Sequence, residues 1–189
     1  MSEYIVDQNY SDITYNEEDL NFKEFEGCTF HNCNFSSCSF KALSFIDCVF
    51  DRCVFNEARV NHVSFRTVTF KNCHIVDVNF AMCDRIIFEV HFENSTLDFS
   101  KFYSLNLSNA TFFKCSLVAV DFMDTNLSSL AFNHCDLYRA EFRKANASKA
   151  DFSTSYNFTI DPGKTKLKKA LFARSEVKGL LFKHDIIVS

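Results

Sequence analysis

The residues best suited to chemistry in this chain are nine cysteines and six histidines, spread over 189 residues. A zinc site usually takes cysteine pairs separated by about two to four residues, whereas Cys28, Cys33 and Cys38 recur at every fifth position. No nucleophile–base pair, carboxylate pair or glycine-rich phosphate loop stands out. We therefore expect no catalytic residue, no metal site, no cofactor and no enzymatic activity. The histidines form no cluster and are expected on the surface: His31, His62, His74, His91, His134 and His184.

Composition and charge limit the classes of partner. The net charge of −4 and the pI of about 5.8 provide no basic footprint for direct nucleic-acid binding. The charge is uneven, because residues 1–26 hold eight acids and one base, and residues 161–189 hold seven bases and three acids. The N-terminus lacks the features of a signal peptide, and no apolar run approaches the roughly 20 residues of a membrane span. These features predict a cytoplasmic protein without membrane contact.

A large apolar residue returns at every fifth position. A period of five is neither the 3.6 of a helix nor the 2 of a strand, and it suits a chain that turns a corner every five residues. The phase slips by two after Phe80, most simply through insertion of Arg85 and Ile86. The first series is Leu20, Phe25, Phe30, Phe35, Phe40, Phe45, Phe50, Phe55, Val60, Phe65, Phe70, Ile75 and Phe80. The second is Ile87, Phe92, Leu97, Phe102, Leu107, Phe112, Leu117, Phe122, Leu127, Phe132, Leu137, Phe142, Ala147 and Phe152.

A small residue lies two positions before most of these centres, and all nine cysteines occupy such positions. Each repeat is therefore predicted to point two side chains inward and three outward. Consecutive cysteines would lie on different faces, and Cys33, Cys53 and Cys73 would stack close enough for a disulfide. Because their side chains would run parallel in a reducing compartment, we interpret the cysteines as small apolar core residues with free thiols.

Three runs carry a resemblance to a known family: Cys33–Ser37, Cys135–Arg139 and Ala150–Thr154 resemble the pentapeptide-repeat consensus. The resemblance implies an all-β fold, a right-handed quadrilateral parallel β-helix with four pentapeptides in each coil. It further implies an N-terminal cap or degenerate first coil at 1–17, the β-helix at 18–154 with the slip near 85–86, and a C-terminal cap with a short helix at 155–189.

Residues 20 apart should stack in such a helix, which predicts the composition of single columns. One column should be an unbroken phenylalanine ladder. Its members are Phe30, Phe50, Phe70, Phe92, Phe112, Phe132 and Phe152.

Several large apolar residues fall on outward positions of the repeat, among them Phe88 and Phe113. Five of them are predicted to cluster around one edge of the rod, and a contiguous exposed apolar patch is typical of a protein-binding surface. The alternative is that a β-helix tolerates scattered surface aromatics. The five candidate partner-binding residues are Phe99, Tyr103, Val118, Met123 and Tyr138.

The C-terminal tail resembles the quinolone-resistance (Qnr) and microcin-immunity branch of the family. The resemblance rests on Asp161–Pro162, the return segment Lys166–Phe172, and the runs Gly179–Leu181 and Asp185–Val188. It implies a C-terminal helix that joins two rods into a homodimer. The residues themselves predict such a helix with Ser175 as its N-cap, because Val177, Leu180 and Leu181 would share one helical face. The candidate dimerisation residues are Val177, Leu180, Leu181, Ile186, Ile187 and Val188.

Two functions follow from these resemblances. In the first, the homodimer imitates duplex DNA, binds DNA gyrase or topoisomerase IV and protects it from a quinolone or a peptide toxin, as an antibiotic-resistance or immunity protein. In the second, the rod is a scaffold that binds another protein through the aromatic edge. A rod of about seven coils spans about 34 Å, and duplex DNA of that length carries about 20 phosphates, far more charge than this chain has. An acidic face along the whole rod would favour the first function, and an apolar patch without such a face the second.

Overall fold

A computed structural model describes residues 3–40, 42–184 and 186. The chain runs through short strands and isolated β-bridges separated by tight turns, because polar residues follow most inward-facing centres. The strands are β1 Glu3–Val6, β2 Asn9–Ser11, β3 Lys23–Glu26, β4 Thr29–His31, β5 Ser44–Ile46, β6 Val49–Asp51, β7 Ser64–Lys71, β8 Phe88–Glu93, β9 Thr111–Phe113, β10 Phe132–Asn133, β11 Asp151–Phe152 and β12 Leu171–Phe172. The helices are α1 Glu17–Leu20 and three 3-10 segments, Phe80–Met82, Arg174–Leu180 and Phe182–His184.

Every strand pair is parallel, and residues 20 apart face each other. Tyr10 pairs with Phe30, Phe30 with Phe50, and Phe50 with Phe70. The chain thus forms a parallel β-solenoid of about eight turns, and the predicted β-helix class is confirmed. Such a rod is held together by backbone ladders between neighbouring coils.

The rod has four faces, which we number by the centre residue of the second coil. Face 1 carries Phe30, face 2 Phe35, face 3 Phe40 and face 4 Phe45. All the predicted centre residues except Ile87 are buried, because burying large apolar side chains is the main stabilising term in folding.

The predicted phenylalanine ladder on face 1 is confirmed. The Phe30 and Phe50 rings are stacked with centroids 4.8 Å apart, and the ladder continues to Phe132 and Phe152 at 5.0 Å. It also extends beyond the prediction, to Tyr10 at one end and Phe172 at the other.

Most corners between faces contain a residue in the left-handed backbone conformation. Asp7, Asp47, Asn94 and Lys149 are examples, with φ between 47° and 62°. The left-handed region costs an ordinary L-residue about 1–2 kcal/mol, and glycine is rare in this chain. The corners therefore carry a repeated local strain, which the burial of two side chains per repeat must offset.

The phase slip differs from its prediction. Face 1 does shift by two residues, since Phe70 pairs with Phe92. However, Phe88 pairs with Phe65 and is buried, whereas Ile87 is 48% exposed. The expected inward position of Ile87 and outward position of Phe88 are both wrong. The larger ring packs against Phe65 and Phe80. The register shifts there because β8 passes the corner with one residue fewer than β7: Phe65 pairs with Phe88, but Val68 pairs with Val90.

The side chains at the small inward positions donate hydrogen bonds as well as fill space in the core. The Cys53 thiol donates to the Phe30 carbonyl at 3.3 Å, and Cys73 donates to Phe50 at 3.4 Å. Hydroxyls take the same role later in the chain, where Thr125 donates to Phe102 at 2.9 Å. These side chains satisfy carbonyl groups of the preceding coil, and this role was absent from the sequence interpretation.

The 3-10 helix Arg174–Leu180, which we call the cap helix, covers the part of the C-terminal end formed by Phe158 and Ile160. Its N-cap position is Ala173, without a side-chain hydrogen bond, so the predicted N-cap role of Ser175 is wrong. The Ile160 N–H donates to the Gly179 carbonyl at 3.0 Å. A Cβ at Gly179 would lie 2.0 Å from the Phe158 carbonyl oxygen. Glycine is therefore required for the cap helix to reach the core.

Candidate protein-binding surface

The most reactive side chains of the chain, the cysteine thiols, lie inside the rod. All nine cysteines are free and buried. Burial raises the pKa of the Cys48 and Cys83 thiols to about 12, so both are protonated near neutral pH and poor nucleophiles. Within the described part of the chain, no three His, Cys, Asp or Glu side chains form a group able to hold a metal ion.

The candidate partner residues lie at two successive corners. Phe99, Val118 and Tyr138 occupy the corner between faces 2 and 3 on three consecutive coils, and we call them the aromatic edge. The Phe99 N–H donates to the Val118 carbonyl at 2.9 Å, and the next coil repeats the bond from Ala119 to Tyr138 at 2.8 Å. This ladder fixes the vertical spacing of the three side chains. Phe99 is 55% exposed and Tyr138 49% exposed.

Tyr103 and Met123 lie at the next corner, between faces 3 and 4. They are stacked too, since the Ser104 N–H donates to the Met123 carbonyl at 2.9 Å, and both are half-buried. Between the two corners runs face 3, whose outward residues Lys101 and Asp121 pair through a β-bridge. The five predicted residues thus flank a charged strip rather than line a single edge.

A groove extends the aromatic edge toward the C-terminal end. It has a volume of about 380 Å³ and is lined in part by Tyr138, Phe158, Gly179 and Phe182. Phe182 is 54% exposed. The sequence interpretation missed this groove because Phe158 falls outside the five-residue period and Phe182 lies beyond the last repeat, although two unassigned phenylalanines in a tail were a usable signal.

Along the corner between faces 2 and 3, acidic side chains in the first half of the rod give way to the aromatic edge in the second half. Glu57, Asp77 and Asp98 precede the aromatic edge on the same corner and make the first half acidic. Asp98 also anchors the edge, since its carboxylate accepts hydrogen bonds from the Val118 N–H at 3.0 Å and the Ser116 hydroxyl. This acidic run stops at Phe99, so the corner between faces 2 and 3 is not acidic over its whole length.

The predicted dimerisation residues are only partly described. Val177, Leu180 and Leu181 are half-buried, and Leu180 contacts the core. Ile186 is 57% exposed. Ile187 and Val188 lie outside the described residues, so the pairing of two chains through this segment stays a prediction.

Comparison with known proteins identifies the repeat. The chain matches the pentapeptide repeat region over residues 23–85 and the pentapeptide repeats (8 copies) over residues 121–155, together about half of its length. No curated protein matches it. Among the described residues, no helix is long and apolar enough to cross a membrane.

Two solved structures share the fold over their whole length. Both are trypsin-treated forms of QnrB1, a plasmid-mediated fluoroquinolone resistance protein. They align with TM-scores of 0.56 and 0.54 at 15% and 16% sequence identity, and cover 98% and 100% of this chain and 100% of their own. At this identity the likeness concerns the fold alone.

Proposed function

We propose that this chain, which belongs to the pentapeptide-repeat family, is a non-enzymatic scaffold that binds a protein partner through the aromatic edge and its groove. The observation that supports this most is the exposure of two aromatic side chains, Phe99 and Tyr138, two coils apart on one corner, with the half-buried Val118 on the coil between them. A rigid β-helix holds them at the spacing of its strands, so little conformational entropy is lost when a partner binds. Exposed aromatic residues of this kind often contribute most of the binding energy at protein interfaces.

The electrostatics favour this function over DNA imitation. A partner that covers the aromatic edge would also face Glu57, Asp77 and Asp98, so we expect an apolar binding site flanked by basic groups. Acidic groups on only half of one corner do not reproduce the uniform charge of a duplex.

The test is retention of a defined partner by matched variants. A double variant, Phe99→Ser with Tyr138→Ser, removes the exposed apolar side chains of the aromatic edge without touching a buried residue. Tyr156→Ser, on face 2, is the control, because Tyr156 is also exposed, at 45%. We expect a partner crosslinked to the wild-type chain to be retained by the control and lost from the double variant. Equal retention by both variants would contradict the proposal.

A second candidate function is protection of DNA gyrase or topoisomerase IV from a quinolone or a peptide toxin. It is supported by the likeness in fold to fluoroquinolone resistance proteins and by the acidic first coil. In this candidate the rod occupies the DNA-binding groove of the enzyme as a homodimer. A gyrase supercoiling assay with a quinolone tests it: added protein should restore supercoiling in a dose-dependent way, and no effect at any dose would contradict it.

The two candidates are separated by the variants above. If gyrase is the partner and the aromatic edge is the binding surface, Phe99→Ser with Tyr138→Ser should abolish protection. If the acidic end is the binding surface instead, Asp12→Asn with Glu24→Gln should weaken protection and the aromatic variants should not.

A further inference from the structure

The two ends of the rod carry opposite charge. Residues 1–26 hold eight acids and one base, and residues 161–189 hold seven bases and three acids. Asp7 and Asp12 are exposed on the first coil, and Lys166, Lys168 and Lys169 are exposed on the last. Two like ends therefore repel each other, whereas an N-terminal end and a C-terminal end attract each other at low salt.

The two ends also expose edges of the same face. Strand β2 and strand β12 each end a sheet in the described part of the chain, and both belong to face 1. They are parallel to every strand between them, so the outer edge of β12 has the direction and pitch that β2 would meet in one more coil. Unpaired strand edges readily accept further strands.

The aromatic ladder ends in half-buried rings. Tyr10 stacks on Phe30 at 4.9 Å, and Phe172 stacks on Phe152 at 5.1 Å. Both terminal rings are half-buried, unlike the fully covered rings between them. Stacking Phe172 of one copy on Tyr10 of the next would cover both.

The corner register brings opposite charges together. Asp7 and Lys169 both occupy the corner between faces 4 and 1, with φ of 51° and 61°. The Asp7 N–H donates to Glu26 and the Lys149 N–H to Lys168, both at 2.9 Å, in the same step of the coil. One further coil added at the same pitch places Asp7 of the added copy over Lys169.

From these observations we propose that the rods associate head to tail, with the C-terminal end of one copy, at β12 and Lys166–Lys169, against the N-terminal end of the next, at β1, β2 and Asp7. The interface is heterologous, so association continues into short filaments rather than closing at two copies. A two-fold pairing of C-terminal ends would instead bring the lysines of both chains together.

Charge exchange tests the proposal. Asp7→Lys alters only the acidic end, and Lys169→Glu only the basic end. Matched controls exist on the same corner inside the rod, Asp47→Lys and Lys149→Glu, because Asp47 and Lys149 have the same backbone conformation. Sedimentation velocity of the full chain at micromolar to millimolar concentration, at about 50 mM and about 1 M NaCl, measures the association, and circular dichroism confirms that each variant is folded.

We expect the wild-type chain and both controls to form concentration-dependent chains at low salt that dissociate at high salt. Each single-end variant should associate about tenfold more weakly. The double variant Asp7→Lys with Lys169→Glu should regain association, because each exchanged end again meets an opposite charge. A monomeric wild-type chain at low salt, or a discrete dimer unaffected by Asp7→Lys, would overturn the proposal, and the second result would establish the two-fold C-terminal dimer.

Discussion

The two halves of the rod, before and after the phase slip, form the same coil with different cores. Before the slip, phenylalanine occurs on all four faces, and cysteine fills many of the small inward positions. From Phe92 to Phe152, phenylalanine centres are confined to faces 1 and 3, while faces 2 and 4 carry leucine or alanine, as at Leu117 and Leu127. Opposite columns still meet edge to face, with Phe102 and Phe112 centroids 6.0 Å apart. The fold therefore requires a constant core cross-section rather than one particular residue on each face.

The halves also differ in how their small positions bond. Thiols, which are weak donors, predominate in the first half, and the hydroxyls of Ser100, Thr125 and Ser155 replace many of them in the second. The Ser155 hydroxyl donates to the Phe132 carbonyl at 2.6 Å. We conclude that hydrogen bonds to the preceding coil contribute more to stability in the second half, and aromatic burial more in the first.

The largest expected effect concerns the ladder that the halves share. Phe112→Ala should lower the free energy of unfolding by about 3–5 kcal/mol, because it leaves a cavity between four neighbouring rings. Urea denaturation followed by far-ultraviolet circular dichroism measures the loss. Phe113→Ala, one position along and 38% exposed, is the control and should cost less than about 1 kcal/mol. A similar loss in the free energy of unfolding for the two variants would mean that a ring of the ladder stabilises the rod no more than an exposed ring does.

Alkaline pH should destabilise the first half more than the second. Seven of the nine cysteines lie before the slip, and burial raises the pKa of Cys48 and Cys83 to about 12 from the ordinary value of 9.0. Above pH 9 the unfolded chain loses these protons while the folded chain keeps them. The contribution of these thiols to the free energy of unfolding should therefore be constant below pH 9 and fall between pH 9 and 12.

The same burial predicts slow thiol labelling in the native state near neutral pH. All nine thiols should react once the chain is denatured. Hydrogen exchange between pH 9 and 11 should show opening of the first half before the second. Rapid native labelling of several thiols, or opening that starts after the slip, would contradict this view.

Removing a hydroxyl donor should have a moderate effect, specific to the second half. Thr125→Val keeps the shape of the side chain but removes the hydroxyl that donates to the Phe102 carbonyl, which keeps the Leu105 N–H as its other donor. We therefore expect a loss of about 1 kcal/mol. Cys73→Ser, at an equivalent inward position of the first half, should change stability by less than about 1 kcal/mol, since Ser95 already occupies the next coil of that column. A larger loss of stability from Cys73→Ser than from Thr125→Val would contradict the conclusion that hydrogen bonds to the preceding coil contribute more in the second half.

The sequence predicted the periodic part of the molecule well and its exceptions poorly. The five-residue period was enough to predict which residues form the four columns, because the large apolar residue at every fifth position faces the core. At the slip, period alone could not choose between Ile87 and Phe88, since the choice depends on which side chain fills the space beside Phe65. Likewise, the prediction that Cys53 is buried could not show that its thiol donates a hydrogen bond to a carbonyl group. The groove at Phe158 and Phe182 depends on how the tail folds back, which no local pattern encodes.

The smallest expected effect concerns the corner between faces 2 and 3, where the halves differ most on the surface. The left-handed position of this corner is Ser37, Glu57 and Asp77 before the slip, and Phe99, Ala119 and Arg139 after it. A bulky side chain such as phenylalanine is unfavourable in this conformation, whereas asparagine tolerates it, as Asn94 does elsewhere in the rod. Phe99→Asn should therefore raise the free energy of unfolding by about 0.5 kcal/mol, measured by urea denaturation, and weaken partner binding. Asp77→Asn, at the same position one coil earlier, is the control for stability and should change the free energy of unfolding little. If Phe99→Asn destabilises the rod, Phe99 contributes to the fold, and its exposure is no longer an argument for a binding surface.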